Sequence, residues 1–241
     1  FDAPEIRALL KDIAEKTEGP WLRPLAASLE TPGGPLLFTL VGHTGSILDV
    51  DLTPDGRRAV SASRDGTLMV WDLDQGSRQA VLQGHENAVY AVRLTPDGST
   101  VFSGGDDTRI IAWDLAGERI LYTLDDHAGS VRSLDITPDG RRLLSLSGEG
   151  ELFLWDLERR TLKDRLSVEG GYYPSVAVSP DGRRVLAPSG PNAVLVDLDT
   201  FEVQKELYGE GDAVWGITWL PDNRRALVLS LIHISEPTRP Y

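Results

Sequence analysis

The chain has 241 residues, 41% hydrophobic and 25% charged, which is enough to bury a substantial core and too apolar for a disordered segment. Its formal charge of −13 argues against nucleic acid and against a membrane surface, since binding phosphate needs a basic face that releases counterions. No apolar run approaches the ~20 residues of a membrane-spanning helix, and the lack of cysteine removes disulfides, thiolate zinc sites and a cysteine nucleophile, which suits a reducing, cytoplasmic compartment.

In chain order, residues 4–16 set Ile6, Leu9, Leu10 and Ile13 at helical spacing behind Asp2 as N-cap, predicting a short N-terminal helix. A Pro/Gly-rich connector follows through residue 35, with Trp21 and Leu22 placed to pack it down. Residues 36–40 read as a lone outer strand. From there the chain breaks into short apolar-rich runs, the first set at 47–52, 58–61, 68–71 and 79–82. Turns at Thr53-Pro54-Asp55-Gly56 and Arg64-Asp65-Gly66 separate them. Pro presets φ, Asp bonds back to its own backbone and Gly accepts positive φ, so these runs predict an antiparallel meander. No helical period appears between residues 36 and 228.

The set then repeats. Trp71-Asp72, Trp113-Asp114 and Trp155-Asp156 recur every 42 residues, and so do His43, His85 and His127 and the Thr-Pro-Asp-Gly turns at 53, 95 and 137. Four strands in about 42 residues is the count of one propeller blade. The expected blades cover 46–82, 88–124, 130–166 and 174–207, with a partial one at 213–228. The fold class is therefore all-β, a β-propeller of four-stranded antiparallel blades whose ring is incomplete. Both ends look cut. The chain starts at Phe1, and the stretch from Leu229 to Tyr241 interrupts a repeat and resembles the translation of a transposase-type sequencing adapter, so residues 229–241 are expected to be an artefactual tail.

Gly42-His43, Gly84-His85, the Pro-Asp-Gly turns and the Trp-Asp endings resemble the WD-repeat family of β-propellers across residues 36–228. The strict regularity of the turns is similar to bacterial members. The connector resembles one that precedes propellers in large multidomain proteins, which implies an upstream signalling NTPase or effector module. The resemblance also implies a hydrogen-bonded tetrad of His, Ser, Asp and Trp in each blade. The first blade offers His43, Ser61, Asp65 and Trp71, and the second His85, Ser103, Asp107 and Trp113. The third offers His127, Ser145 and Trp155, with Glu149 in place of the Asp and Asp126 in place of the Gly before the histidine. In the fourth, Glu169, Ala187, Pro191 and Val196 stand at these places, so the tetrad is lost and the fourth should be the softest complete blade. A His/Asp/Ser set invites a catalytic reading. Its repetition at a constant interval reads instead as scaffold, and the three histidines sit in separate blades, where they cannot converge on a metal.

The family positions at the start of each first strand project near the channel mouth and fall here on Leu48, Tyr90, Arg132, Pro174 and Trp215. Arg64 and Asp106 occupy the adjacent turns, and Tyr172 lies close by in sequence. Aromatics with an Arg in one register have the composition of protein-binding hot spots. The expected function is a non-catalytic protein-interaction scaffold or sensor, a regulatory part of a larger signalling protein. It needs no cofactor, binds a protein or peptide with basic patches, and requires further blades or a partner to close the ring. The alternative is the propeller domain of an enzyme, gating or binding substrate for a fused catalytic domain. No nucleophile elbow, phosphate loop or metal-ligand spacing supports that alternative.

Overall fold

The computed structural model describes residues 38–169, 175–208 and 214–230. The chain divides into two units, Phe1–Thr39 and Leu40–Tyr241, and all the strands belong to the second. The helix expected at 4–16 and the connector lie outside the described residues. Of the lone outer strand expected at 36–40, residues 38–40 are described and form no strand.

The first sheet is β1 (Ile47–Leu52), β2 (Arg58–Ser63), β3 (Thr67–Asp72) and β4 (Ser77–Gln83), paired antiparallel in sequence order. The same order holds for β5 (Val89–Leu94), β6 (Thr100–Gly105), β7 (Ile110–Asp114) and β8 (Arg119–Leu124), and for β9 (Val131–Ile136), β10 (Arg142–Ser147), β11 (Glu151–Asp156) and β12 (Thr161–Ser167). A fourth sheet joins β13 (Ala177–Val178), β14 (Arg184–Ser189), β15 (Asn192–Asp197) and β16 (Val203–Leu207). Finally β17 (Val214–Trp219) pairs with β18 (Ala226–Ser230). These are four propeller blades and part of a fifth, with no helix among the described residues. Leu229, where the artefactual tail was expected to start, pairs with Gly216 inside β18.

Burial explains the strand sequences. The middle strands β2, β3, β10 and β11 are covered on both faces, with β3 and β11 apolar between their ends and β2 and β10 burying serines among their apolar residues. Strands β4, β8 and β12 are mostly exposed, polar in β4 and β12 but carrying Ile120 and Leu121 in β8. Successive blades share cores. Val60, Ala62 and Leu68 of the first pack with Val89, Val92 and Trp113 of the second, and Leu144, Leu152 and Leu154 of the third pack with Val185, Val194 and Val196 of the fourth. Among the described residues no preceding blade covers β1: Val50 and Leu52 are 56% and 55% exposed, whereas their counterparts Val92 and Leu94 are 0% and 8%.

The Thr-Pro-Asp-Gly turns lock both themselves and each other. The Thr53 hydroxyl donates to Asp55 Oδ1 at 2.6 Å and accepts from the Arg58 amide at 3.0 Å, while Gly56 holds φ of 69°. The turns at 95, 137 and 179 repeat this pattern. Each later glycine also abuts the proline of the turn before it. A Cβ on Gly98 would lie 2.9 Å from Pro54 Cδ, so the glycine is required by sterics as well as by φ.

A second device was not legible as such: carboxylates and hydroxyls on the first strand clasp the next blade. Asp49 and Asp51 accept the amides of Val92 and Leu94 at 3.0 and 2.7 Å. Ser133 and Asp135 accept those of Val176 and Val178 at 3.0 and 2.6 Å. In blade two these places hold Ala91 and Arg93. Arg93 instead donates back to Asp49 at 2.8 Å and lies 4.0 Å from Asp135. Each Asp also takes its own following amide on the other oxygen, as with Val50, Leu52 and Ile136 at 2.9 Å.

Burial raises the Asp135 carboxyl above the ordinary carboxylate value, against the lowering effect of the Val178 amide and Arg93. A raised folded-state pKa means that the native state holds this proton more tightly than the unfolded chain. Its contribution is therefore fullest below the ordinary value and declines as pH rises through it. Asp135→Asn, which keeps an acceptor for Val178, should flatten that decline as pH rises above the ordinary carboxylate value of about 4. Asp135→Ala should cost about 1–3 kcal/mol by orphaning the amide. Urea unfolding checks both, and equal stabilities for the Asn and Ala variants would contradict the clasp.

Candidate functional site

Each of the first two blades closes a chain of donors and acceptors around one serine. Trp71 Nε1–H donates to Ser61 Oγ at 2.8 Å, Ser61 Oγ lies 2.7 Å from His43 Nε2, and His43 Nδ1 lies 3.0 Å from Asp65 Oδ2. In blade two Trp113 donates to Ser103 at 2.8 Å, Ser103 meets His85 Nε2 at 2.8 Å, and His85 Nδ1 meets both Asp107 oxygens at 2.9 Å. The tautomer that satisfies every partner carries its proton on Nδ1: the indole donates to the serine, the serine to Nε2, and Nδ1–H to the carboxylate. The His43 and His85 side chains are 3% and 0% exposed, so water cannot substitute.

Burial alone would raise the Asp65 and Asp107 carboxyls. The hydrogen bonds of Thr67, Thr44 and His43 to the one, and of His85 and the Glu86 amide to the other, outweigh it and hold both below the ordinary value. Depressed carboxylates contribute stability above the ordinary pKa and lose it as pH falls.

The third blade differs from expectation. Trp155 donates to Ser145 at 2.7 Å and Ser145 meets His127 Nε2 at 2.6 Å, but His127 Nδ1 faces Glu151 at 3.4 Å, not Glu149. The extra methylene carries the Glu149 carboxylate past the histidine and against the α-carbon of Gly129. Glu151 stands where blade one has Thr67, whose hydroxyl is already 3.3 Å from His43, so a longer acid at that place reaches the ring. His127 also stacks on Phe153, with ring centroids 4.1 Å apart, and burial lowers its pKa against the opposing pull of Glu151. In the fourth blade the Glu169 amide donates to Ser189 Oγ and its carbonyl accepts the Gly190 amide, and Ala187 and Val196 fill the serine and tryptophan places as plain core.

The mouth positions share a structural cause. The β1–β2 register passes from Ile47 to Asp49 and skips Leu48; β5–β6 skips Tyr90; β10–β9 skips Arg132; β17–β18 skips Trp215. Each is an unpaired bulge residue, and in Leu48, Tyr90 and Arg132 the bulge re-aims the side chain out of the pleat. Tyr90 and Arg132 come together, with the Arg132 guanidinium carbon 4.1 Å from the Tyr90 ring centre. Asp106 is exposed and accepts the Ser130 hydroxyl at 2.8 Å, and Arg64 is exposed in the equivalent turn of blade one. Tyr172 and Pro174 lie outside the described residues. The turn bearing Asp106 and Asp107 ends on Thr108 at φ of 67°, where blades one and three use Gly66 and Gly150. A β-branched residue in the left-handed region stores strain, and such strain concentrates at binding sites. Among the described residues no group of three His, Asp or Glu side chains could hold a metal ion.

Repeated four-stranded blades, the first three pinned by a buried His–Ser–Trp chain, define a β-propeller repeat protein. Three stretches, residues 34–72, 76–114 and 118–156, match the family model described as WD domain, G-beta repeat. The small ribosomal subunit protein RACK1 of Schizosaccharomyces pombe is 50% identical over 36 residues, 15% of this chain and 12% of the relative. The guanine nucleotide-binding protein subunit beta of Arabidopsis thaliana is 56% identical over 34 residues, 14% of this chain and 9% of the relative. The vegetative incompatibility protein HET-E-1 of Podospora anserina is 36% identical over 70 residues, 29% of this chain and 5% of the relative. The chain thus spans only about a tenth or less of the length of these relatives. All three are eukaryotic, and they lend no support to the expected bacterial resemblance.

Ser103→Ala leaves a buried indole N–H and a buried imidazole nitrogen without their partner, and should cost about 2–4 kcal/mol in urea unfolding. A loss below about 0.5 kcal/mol, the scale of an ordinary surface substitution, would contradict the bonding scheme. Thr108→Gly should raise stability by about 1 kcal/mol, the left-handed strain less the entropy that glycine adds to the unfolded chain. An unchanged or lowered urea midpoint would show that the turn is not strained.

Proposed function

We propose that the chain is a non-catalytic protein-interaction module, a scaffold or sensor that works as the regulatory part of a larger cytoplasmic signalling protein. The observation that carries this reading is the row of bulge residues. Leu48, Tyr90, Arg132 and Trp215 occupy one register position in separate blades, so a ligand meeting one of them meets its neighbours. Exposed Arg64 and Asp106 flank the row from the adjoining turns, and the strained Thr108 turn holds Asp106 in place. Aromatic and arginine anchors of this kind dominate protein-binding energetics.

Relatives point the same way by name: one is a ribosomal subunit protein and another a subunit of a guanine nucleotide-binding protein, each a component of a larger assembly. The charge of −13 favours a partner with basic patches, where complementarity mainly speeds encounter. A photo-crosslinking residue at Arg64, on the bulge side of the blades, should give discrete adducts in an extract of the source cells. The same group at exposed Arg141, beside the Thr-Pro-Asp-Gly turn at the other end of the strands, should give few. Equal or stronger adducts from position 141 would overturn the assignment of the ligand face.

A further inference from the structure

Arg132 is the arginine that carries a buried guanidinium nitrogen without a hydrogen-bond partner among the described residues; Arg160 shares its place over a tyrosine ring but not that burial. Arg93, Arg109 and Arg142 each pair with a carboxylate at 2.8 to 3.2 Å, in a chain with 37 acidic residues to choose from. Among the described residues no carboxylate pairs with Arg132, and no hydrogen bond engages its guanidinium. Its Nε is buried without an acceptor. The side chain is nevertheless held in place, because its guanidinium lies over the Tyr90 ring and its stem packs beside Gly148. The ring holds one side of the guanidinium and the Nε side is covered, so the terminal amino groups are the donors left to meet a ligand, and a held planar fork is matched to a carboxylate. Two residues earlier, Ser130 ties down Asp106, which leaves an anchored anion on the same rim.

We propose that Arg132, oriented by Tyr90, is the receptor for an Asp or Glu side chain of the partner, and that Asp106 faces a basic residue next to it. The proposal rests on the bulge row being the ligand face and adds the chemistry that this face selects. The protein's net charge shapes the partner further. A run of acids is repelled by the surface as a whole, so the fitting segment sets one acid beside a basic neighbour. Fixing the guanidinium in advance reduces the side-chain ordering that binding would otherwise require.

The test uses the full chain, labelled with 15N, titrated with a capped Gly-Glu-Lys-Gly peptide and with the same peptide carrying Gln for Glu. The Arg132 Nε–H resonance should move and saturate with the Glu peptide at about one tenth of the concentration that the Gln peptide needs, the effect of one charge-assisted pair. Arg132→Lys, which keeps the charge and loses the fork, should weaken the Glu peptide by a similar factor, and so should Tyr90→Ala. Unchanged Trp71, Trp113 and Trp155 indole signals in both variants would show that the blades remain folded. If Glu and Gln peptides shift the Leu48, Tyr90 and Arg132 amides equally, the carboxylate receptor is wrong while the ligand face stands. If neither peptide moves those amides, both fall.

Discussion

A serine hydroxyl in each of the first three blades receives the indole N–H of a tryptophan on the third strand and contacts a histidine from the loop that enters the blade. One small side chain thereby ties three pieces of chain that are remote in sequence. Because all three histidine side chains are at most 3% exposed, the chain of bonds is satisfied inside the protein or not at all. The loop is held by the same network, and the first strand begins where the loop ends. The bulge that lifts Leu48, Tyr90 and Arg132 out of the pleat is thus placed by the tetrad several residues away.

Between blades the structure uses a different means. Apolar faces supply the bulk of the contact, and side-chain acceptors on the first strand capture two amides of the next one. Blade four has Ala177 at the second of those places, and blade two has Ala91 and Arg93. There the guanidinium bridges toward Asp49 and Asp135, so its charge offsets acids that would otherwise crowd each other. The proline–glycine contacts between successive turns add a third, purely steric register mark at the other end of the strands.

The blades were legible because their turns and their tryptophans recur at a fixed interval, and turn chemistry of this kind has one structural solution. The tetrad members of the first two blades were equally plain in type and place. Glu149 was misplaced because position in the repeat does not report side-chain length. A glutamate overshoots where an aspartate fits, and Glu151 takes over from the place of Thr67. The clasp formed by Asp49, Asp51, Ser133 and Asp135 was not legible. Nothing in a single blade shows that these acids belong to its neighbour. The stacking of Arg132 on Tyr90 depends on the relative placement of two blades, which no pattern within one repeat encodes.

Blade four is the natural control, since Ala187 and Val196 replace the serine and tryptophan while the strand order is kept. Amide hydrogen exchange compared between blades two and four tests the central claim most directly. The account predicts faster exchange at Leu186 and Val194 than at Phe102 and Ile111, which occupy closely matching buried places in the tetrad-bearing blade. Exchange in blade four as slow as or slower than in blade two would show that apolar packing alone holds the blades, and that the serine-centred network is incidental.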